Sequence, residues 1–373
     1  MRTRSVIVAA IIVAGAFCAG CAPYPYERFT PRVAPALGEL RDDHALIHVY
    51  YATDRAPTGD DDPYLYYGAE RRDDLHYGVA VVSIPADHGR GRLEQPLFGA
   101  ARRAARDVAL LRVDPMDDRA ALEQRLKAAL DQSPQRCVLV YVHGFNTLMG
   151  DSARRGAQIA HDIEFAGPVV LYSWPTQGWL LSYLVDASNV EWTAPHLAEF
   201  LRMLRAQEGV ERIHLLAHSM GCRVLCRAVE RLSNAAADEE PMFDQIVLAA
   251  ADVDAQLFER DYLPALSHAA RRVTAYVSRA DWALGSSRWL HKYPRLGLDG
   301  PPEIPTRTPA PFDVIDATRV DKGPVGHYYF GNSPDVLRDL AGVLAGRSPA
   351  ERGLVGEGGL FRIEPRGRVL ADK

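Results

Sequence analysis

From residue 136 onward, apolar and polar positions alternate between two periods. CVLVYVHG (137–144) is an almost unbroken apolar run, the pattern of a strand buried on both faces. SARRGAQIAHDI (152–163) switches to the three-to-four spacing of an amphipathic helix. The exchange then repeats. PVVLYSW (168–174), RIHLLAH (212–218), DQIVLAAA (244–251), RVTAYVSR (272–279) and FDVIDA (312–317) read as strands. PHLAEFLRMLRAQ (195–207), opened by a proline, CRVLCRAVERL (222–232), DAQLFERDYLPAL (254–266) and SPDVLRDLAGVLAG (333–346) read as helices. Strands alternating with helices predict βαβ units and a mostly parallel sheet, an α/β fold.

Upstream the pattern differs. ALIHVYYATDR and LHYGVAVVSIP are β-rich runs parted by the turn-forming PTGDDD, and DVALLRV (107–113) reads as a third strand. RAALEQRLKAAL (119–130) has helical spacing. This β-rich segment, 45–113, either extends the sheet or caps it. Residues 294–311 form a loop rich in proline and glycine, and 350–373 carry little pattern.

The first residues belong to none of this. Met1-Arg-Thr-Arg is basic, and Ser5 to Phe17 is almost purely apolar and small. That is the layout of a secretory signal peptide; a bilayer-spanning helix needs about 20 residues. The run ends Cys18-Ala-Gly-Cys21, which resembles a bacterial lipobox with Cys21 as the lipidated residue. The division predicted is a signal peptide over 1–20, a proline-rich tether over 21–43, a folded body over 44–349 and a tail over 350–373. Localisation follows: an exported lipoprotein held at a bacterial envelope membrane.

Composition narrows the classes. The 373 residues carry a net charge of −5 and no long basic cluster, so no nucleic-acid partner is expected. Besides Cys21, the mature chain keeps Cys137, Cys222 and Cys226, too few and too irregular for a disulfide framework. They read as buried small apolar groups. No H-E-x-x-H or similar cluster suggests a metal, and HGRGRL (88–93) lacks a nucleotide-binding pattern. No cofactor is expected. Oligomeric state is not legible.

The chemistry gathers at strand ends. In HLLAHSMGCR, Ser219 lies between a strand and a helix, with Ala217 two before it and Gly221 two after. A strand-to-helix turn of small residues exposes a serine hydroxyl and aims it at the amides opening the helix. His143-Gly144 ends an earlier strand, so the backbone N–H groups of Phe145 and Met220 are the candidate oxyanion donors. A base must follow Ser219 in the chain. His268, His291 and His327 are the choices, and His327 is favoured by its flanking glycine and its place beyond a strand end. The acid that orients it is Asp281, after RVTAYVSR, with Asp252 and Asp254 as alternatives. Of five tryptophans, Trp174, Trp179 and Trp192 follow one strand, and Trp282 and Trp289 follow Asp281. Trp174 and Trp179 are candidates to line an apolar substrate pocket.

Together these stretches resemble an α/β-hydrolase family of unknown function that is widespread in bacteria. The matching segments are VYYATDRAP, YGVAVVSIP, VLVYVHGFNT, VVLYSWPTQG, IHLLAHSMGCR, VLAAADVDA and GHYYF, spanning about 45–345. The resemblance implies the α/β-hydrolase fold and a Ser-Asp-His triad, and no particular substrate. The expected function is a serine hydrolase cleaving carboxylic esters. A non-catalytic envelope lipoprotein on the same fold, and an acyltransferase using the same triad, are the alternatives.

Overall fold

The computed structural model describes residues 33–96, 101–179, 182–235, 240–303, 308 and 310–366. The predicted signal peptide, Cys21 and residues 21–32 of the tether lie outside them. Twelve strands form a single sheet: β1 Gly38–Leu40, β2 His44–Pro57, β3 Tyr67–Pro85, β4 Ala109–Met116, β5 Cys137–Val142, β6 Val169–Ser173, β7 Arg212–His218, β8 Phe243–Ala249, β9 Ala270–Val277, β10 Phe312–Asp316, β11 Val355–Glu357 and β12 Leu360–Arg362. The order is β11-β12-β10-β9-β8-β7-β5-β6-β2-β3-β4, with β1 paired to β2. From β12 to β2 every neighbouring pair is parallel; β3, β4 and β11 add antiparallel margins.

The main helices are α1 Arg119–Leu130, α2 Met149–Asp162, α3 Tyr183–Ala206, α4 Gly221–Ala235, α5 Leu263–Ala269, α6 Trp282–His291 and α7 Pro334–Leu344. They cover both faces. One apolar layer joins Leu122, Leu197, Phe200 and Leu225 to the sheet; the other joins Ile159, Val336, Leu340 and Phe330. All six residues of β5 are buried, as its unbroken apolar run requires. Burial of each such large side chain contributes about 1.5–3 kcal/mol.

The β-rich segment extends the sheet. Parallel β2 lies against β6 from Val49↔Val169 to Thr53↔Ser173, and β3 and β4 continue outward from it. The folded body reaches past both expected limits. Leu37 is buried and its carbonyl accepts from His48 N, so the chain is already docked on β2 before residue 44. At the other end, β12 pairs in parallel with β10, and Phe361 packs, partly buried, against the core.

Helix α3 begins at Tyr183 and not at the proline; Pro195 lies inside it. The preceding turns were hidden because three of their buried positions, Asp186, Asn189 and Thr193, are polar. Asp186 accepts from Gln177 N, and Asn189 donates to the Pro175 carbonyl. These side chains tie down the loop after β6 and break the apolar period.

Candidate active site

The parallel strands β5, β6, β7, β8 and β9 all end on one side, and the predicted chemistry collects there. At the end of β7 the chain turns sharply into α4. Ser219 sits in that turn with φ 53°, left-handed backbone that a non-glycine residue adopts at a cost of about 1–2 kcal/mol. Its N–H donates to Ala249 O at 3.0 Å, and its carbonyl accepts from Cys222 and Asp252 N–H groups. The turn is locked from both sides. Gly221 is needed because a Cβ there would stand 2.2 Å from His143 O, and a Cβ on Gly144 would stand 2.9 Å from the Ser219 Cβ. Ala217, fully buried and paired with Val142, meets no such limit.

His327 and Asp281 are brought together. His327 Nδ1–H donates to Asp281 Oδ2 at 2.7 Å, and both residues are buried. Burial draws the imidazole pKa down, but the charge and hydrogen bond of Asp281 outweigh it, leaving His327 above 6.5. Burial lifts Asp281 above the ordinary carboxylate value against the pull of His327. The other oxygen of Asp281 caps α6, accepting from Leu284 N at 2.9 Å.

The turn at Ser219 and the imidazole are joined by His218. Its Nε2–H donates to His327 O at 3.1 Å, and its ring packs on those of His327 and Phe330 at 4.7 and 4.3 Å. Among the described residues Ser219 Oγ makes no side-chain hydrogen bond; such contacts are often long before substrate arrives.

Asp252 is occupied elsewhere. It accepts from Tyr183 OH and Ser287 Oγ, both at 2.6 Å, and from Arg223 Nη2 at 2.7 Å, with Arg295 Nε at 3.6 Å. Burial would raise its pKa, but Arg223 and then Arg295 hold it at about 2. Asp254 caps the short helix Ala255–Leu257. Neither meets His327. His291 packs beside Tyr183 on α6 and donates to the Ser287 carbonyl, while His268 lies in the last turn of α5.

The loop carrying Phe145 is clamped by residues the sequence reading passed over. Arg55, wholly buried on β2, donates to Ser173 Oγ at 2.9 Å, Thr147 O at 2.8 Å and Thr176 Oγ1 at 3.2 Å. Burial lowers even this guanidinium to about 10. His143 Nδ1–H donates to Gly144 O at 2.8 Å, and Arg55 Nη2 lies 3.4 Å from His143 Nε2. Burial, helped by Arg55, holds His143 neutral with a pKa near 3. Asn146 takes φ 56°, so this loop too contains left-handed backbone. The one available signal was the charge of Arg55 inside an apolar strand run.

Trp174 is a correction. It was expected to line a pocket, yet it is fully buried, stacks on His143 and donates its indole N–H to His143 O at 2.8 Å. The indole is spent on holding the loop. Trp179 is half-exposed. Cys137, Cys222 and Cys226 are free and buried. A cleft of about 490 Å³ is lined by Thr58, Tyr64, Gly68 and Leu148 among others, and neither Ser219 nor His327 lines it.

At the opposite end of the sheet, His88, His161 and Asp162 place metal-type ligand atoms within 4.8 Å of one another. His88, however, donates Nε2–H to Asp162 at 2.8 Å and Nδ1–H to Glu94 at 2.7 Å, so neither nitrogen offers a lone pair.

Two comparisons bear on this arrangement. The family described as "Alpha/beta hydrolase of unknown function (DUF900)" matches residues 118–346. A curated protein of Nostoc sp., "Uncharacterized protein alr1448", is 32% identical over 75 residues, which are 20% of this chain and 20% of that one. The chain thus matches about a fifth of that relative's length.

Proposed function

The chain belongs to the α/β-hydrolase family of unknown function DUF900, and from that premise we propose that it is a serine hydrolase acting on carboxylic esters. The observation that carries the reading is the 2.7 Å bond from His327 to the buried Asp281 beside a serine in left-handed backbone. A carboxylate on Nδ1 fixes the tautomer that leaves Nε2 as a base.

In this reading Ser219 Oγ attacks the ester carbonyl carbon and its proton passes to His327 Nε2. The N–H groups of Phe145 and Met220 receive the oxyanion. Collapse expels the alcohol, which takes the proton back from His327. Water then repeats the sequence on the acyl-enzyme and frees the acid. Asp281 stays ionised throughout and stabilises the imidazolium. Arg55, His143 and Trp174 hold the Phe145 loop in place.

The same proposal includes an envelope anchor through lipidated Cys21. In this reading attachment rests on acyl chains; no helix among the described residues is long and apolar enough to cross a membrane.

A fluorophosphonate probe tests the chemistry. It should label the purified chain and fail to label Ser219→Ala of unchanged melting temperature. Undiminished labelling of that variant would assign the nucleophile to another residue.

A further inference from the structure

Helix α6 turns an apolar stripe outward. Leu284 and Ser287 face in, whereas Trp282, Trp289 and Leu290 are 74%, 63% and 50% exposed, and Tyr293, just past its end, is 54% exposed. The spacing i, i+7 and i+8 puts Trp282, Trp289 and Leu290 on one side of the helix, and Tyr293 follows the left-handed Lys292 that ends it. The first turn of α3 adjoins them. Tyr183 OH lies 3.3 Å from Ser287 Oγ, the Tyr183 ring packs on His291 at 5.5 Å, and the next two residues, Leu184 and Val185, are 73% and 50% exposed. Tyr183 also packs on Phe145 at 5.3 Å. The apolar belt therefore borders the loop that offers the oxyanion donor, and Asp281 begins the helix that carries most of it. Scattered surface hydrophobes need no explanation, but a contiguous belt beside a site does.

Charge indicates what covers it. Every fully charged side chain on 282–293 is basic: Arg288, which pairs with Asp299 at 3.0 Å, and Lys292. Lys292 Nζ sits 5.0 Å from the centroid of the Trp289 ring. Tryptophan and tyrosine with flanking cations, on a short helix lying along the surface, match the chemistry of the bilayer interface. The chain outside the structure fits the same occupant. The twelve residues from Cys21 to the start of the described body reach at most ~40 Å when extended. An anchor at Cys21 leaves the body close to the bilayer, and a second weak membrane contact greatly strengthens one anchor.

We infer that the exposed face of α6, with the first turn of α3, docks on a bilayer carrying anionic headgroups, and that the substrate is an acyl ester of a lipid in that bilayer. The substrate half rests on the serine-hydrolase reading; the docking half draws on the proposed Cys21 anchor and not on that reading.

The full chain is tested in vesicles of phosphatidylethanolamine and phosphatidylglycerol. With brominated acyl chains, tryptophan fluorescence should be quenched, and Trp282→Phe with Trp289→Phe should remove more than about half of that quenching. In parallel, Trp289→Glu with Leu290→Glu should lower hydrolysis of a vesicle-borne diacyl ester about tenfold or more, because two carboxylates must be brought to the interface, while turnover of a soluble short-chain ester is unchanged. Quenching that is absent, or indifferent to the two tryptophans, overturns docking. So does a concentration-dependent dimer that shields them from bromine, since the occupant is then a second copy. Equal losses on both esters overturn the assignment of substrate. If the parent hydrolyses neither ester and the probe misses Ser219, the serine-hydrolase reading fails, and quenching still reports docking by itself.

Discussion

Two buried histidines lie at opposite ends of the sheet, each against a buried carboxylate. His88 stands at the amino ends of the parallel strands, where both its nitrogens donate to acids, Asp162 at 2.8 Å and Glu94 at 2.7 Å. Asp162 is in turn held by Gly91 N and Gln158 Nε2. Burial opposes the His88 charge, but Asp162 and Glu94 raise its pKa to about 10. That ring is held as a cation at neutral pH and bolts the 86–96 loop to α2. His327 stands at the carboxyl ends, and among the described residues its ring makes one side-chain hydrogen bond, through Nδ1 to Asp281. One acid orients an imidazole and leaves it able to gain and lose a proton; two acids fix the proton. The number of committed nitrogens, not burial, separates the proposed base from the brace.

Exchanging the roles by mutation tests that contrast. The largest expected effect is at the carboxyl end: His327→Ala or Ser219→Ala should cost about 10⁶-fold in kcat, with little change in melting temperature. Near-parental turnover by either variant would dissolve the comparison. Next comes Asp281→Asn, expected to fall by about 10⁴-fold. Asp252→Asn should stay within about tenfold per folded molecule, since the 10⁴-fold loss is reserved for the acid that orients the base. The opposite ranking in steady-state assays would transfer the orienting role to Asp252.

His88→Gln should show the reverse signature. Removing one partner of a buried ion pair costs about 3–5 kcal/mol of stability, so denaturant midpoints should drop while kcat of the folded fraction is kept. A rate loss without a stability loss would make His88 part of the chemistry.

The smallest effects are in pH. The folded pKa of His88 is raised above 6.5, so its contribution to stability is complete below 6.5 and drains away as pH climbs towards about 10; His88→Gln should flatten that slope in thermal melts. In the proposed mechanism activity needs neutral His327, whose pKa is also raised. The acidic limb of kcat/KM should therefore lie above pH 6.5 and shift downward in residual Asp281→Asn activity.

Much of this was legible in the chain because burial on both faces leaves a simple trace. The unbroken runs of β5 and β8 announced central strands, and the position of Ser219, Asp281 and His327 beyond strand ends announced a shared place. What escaped detection broke the link between apolar and inside. Helix α6 has its apolar stripe outward, so its period marked no core face. The opening turns of α3 bury Asp186 and Asn189, and Arg55 is a fully buried charge within a strand. Trp174 misled in the opposite sense: a large ring near a site suggested a pocket wall, and its indole nitrogen was already committed to His143.

The carboxyl group of Asp281 answers two masters, the Leu284 amide that opens α6 and the imidazole of His327. Asparagine can cap a helix but brings no charge. Serine and threonine can cap as well, with a single oxygen that cannot serve both partners. Glutamate brings charge, but with one methylene too many for the cap. Of the twenty side chains only aspartate combines the short reach of a cap with a charge for the imidazole.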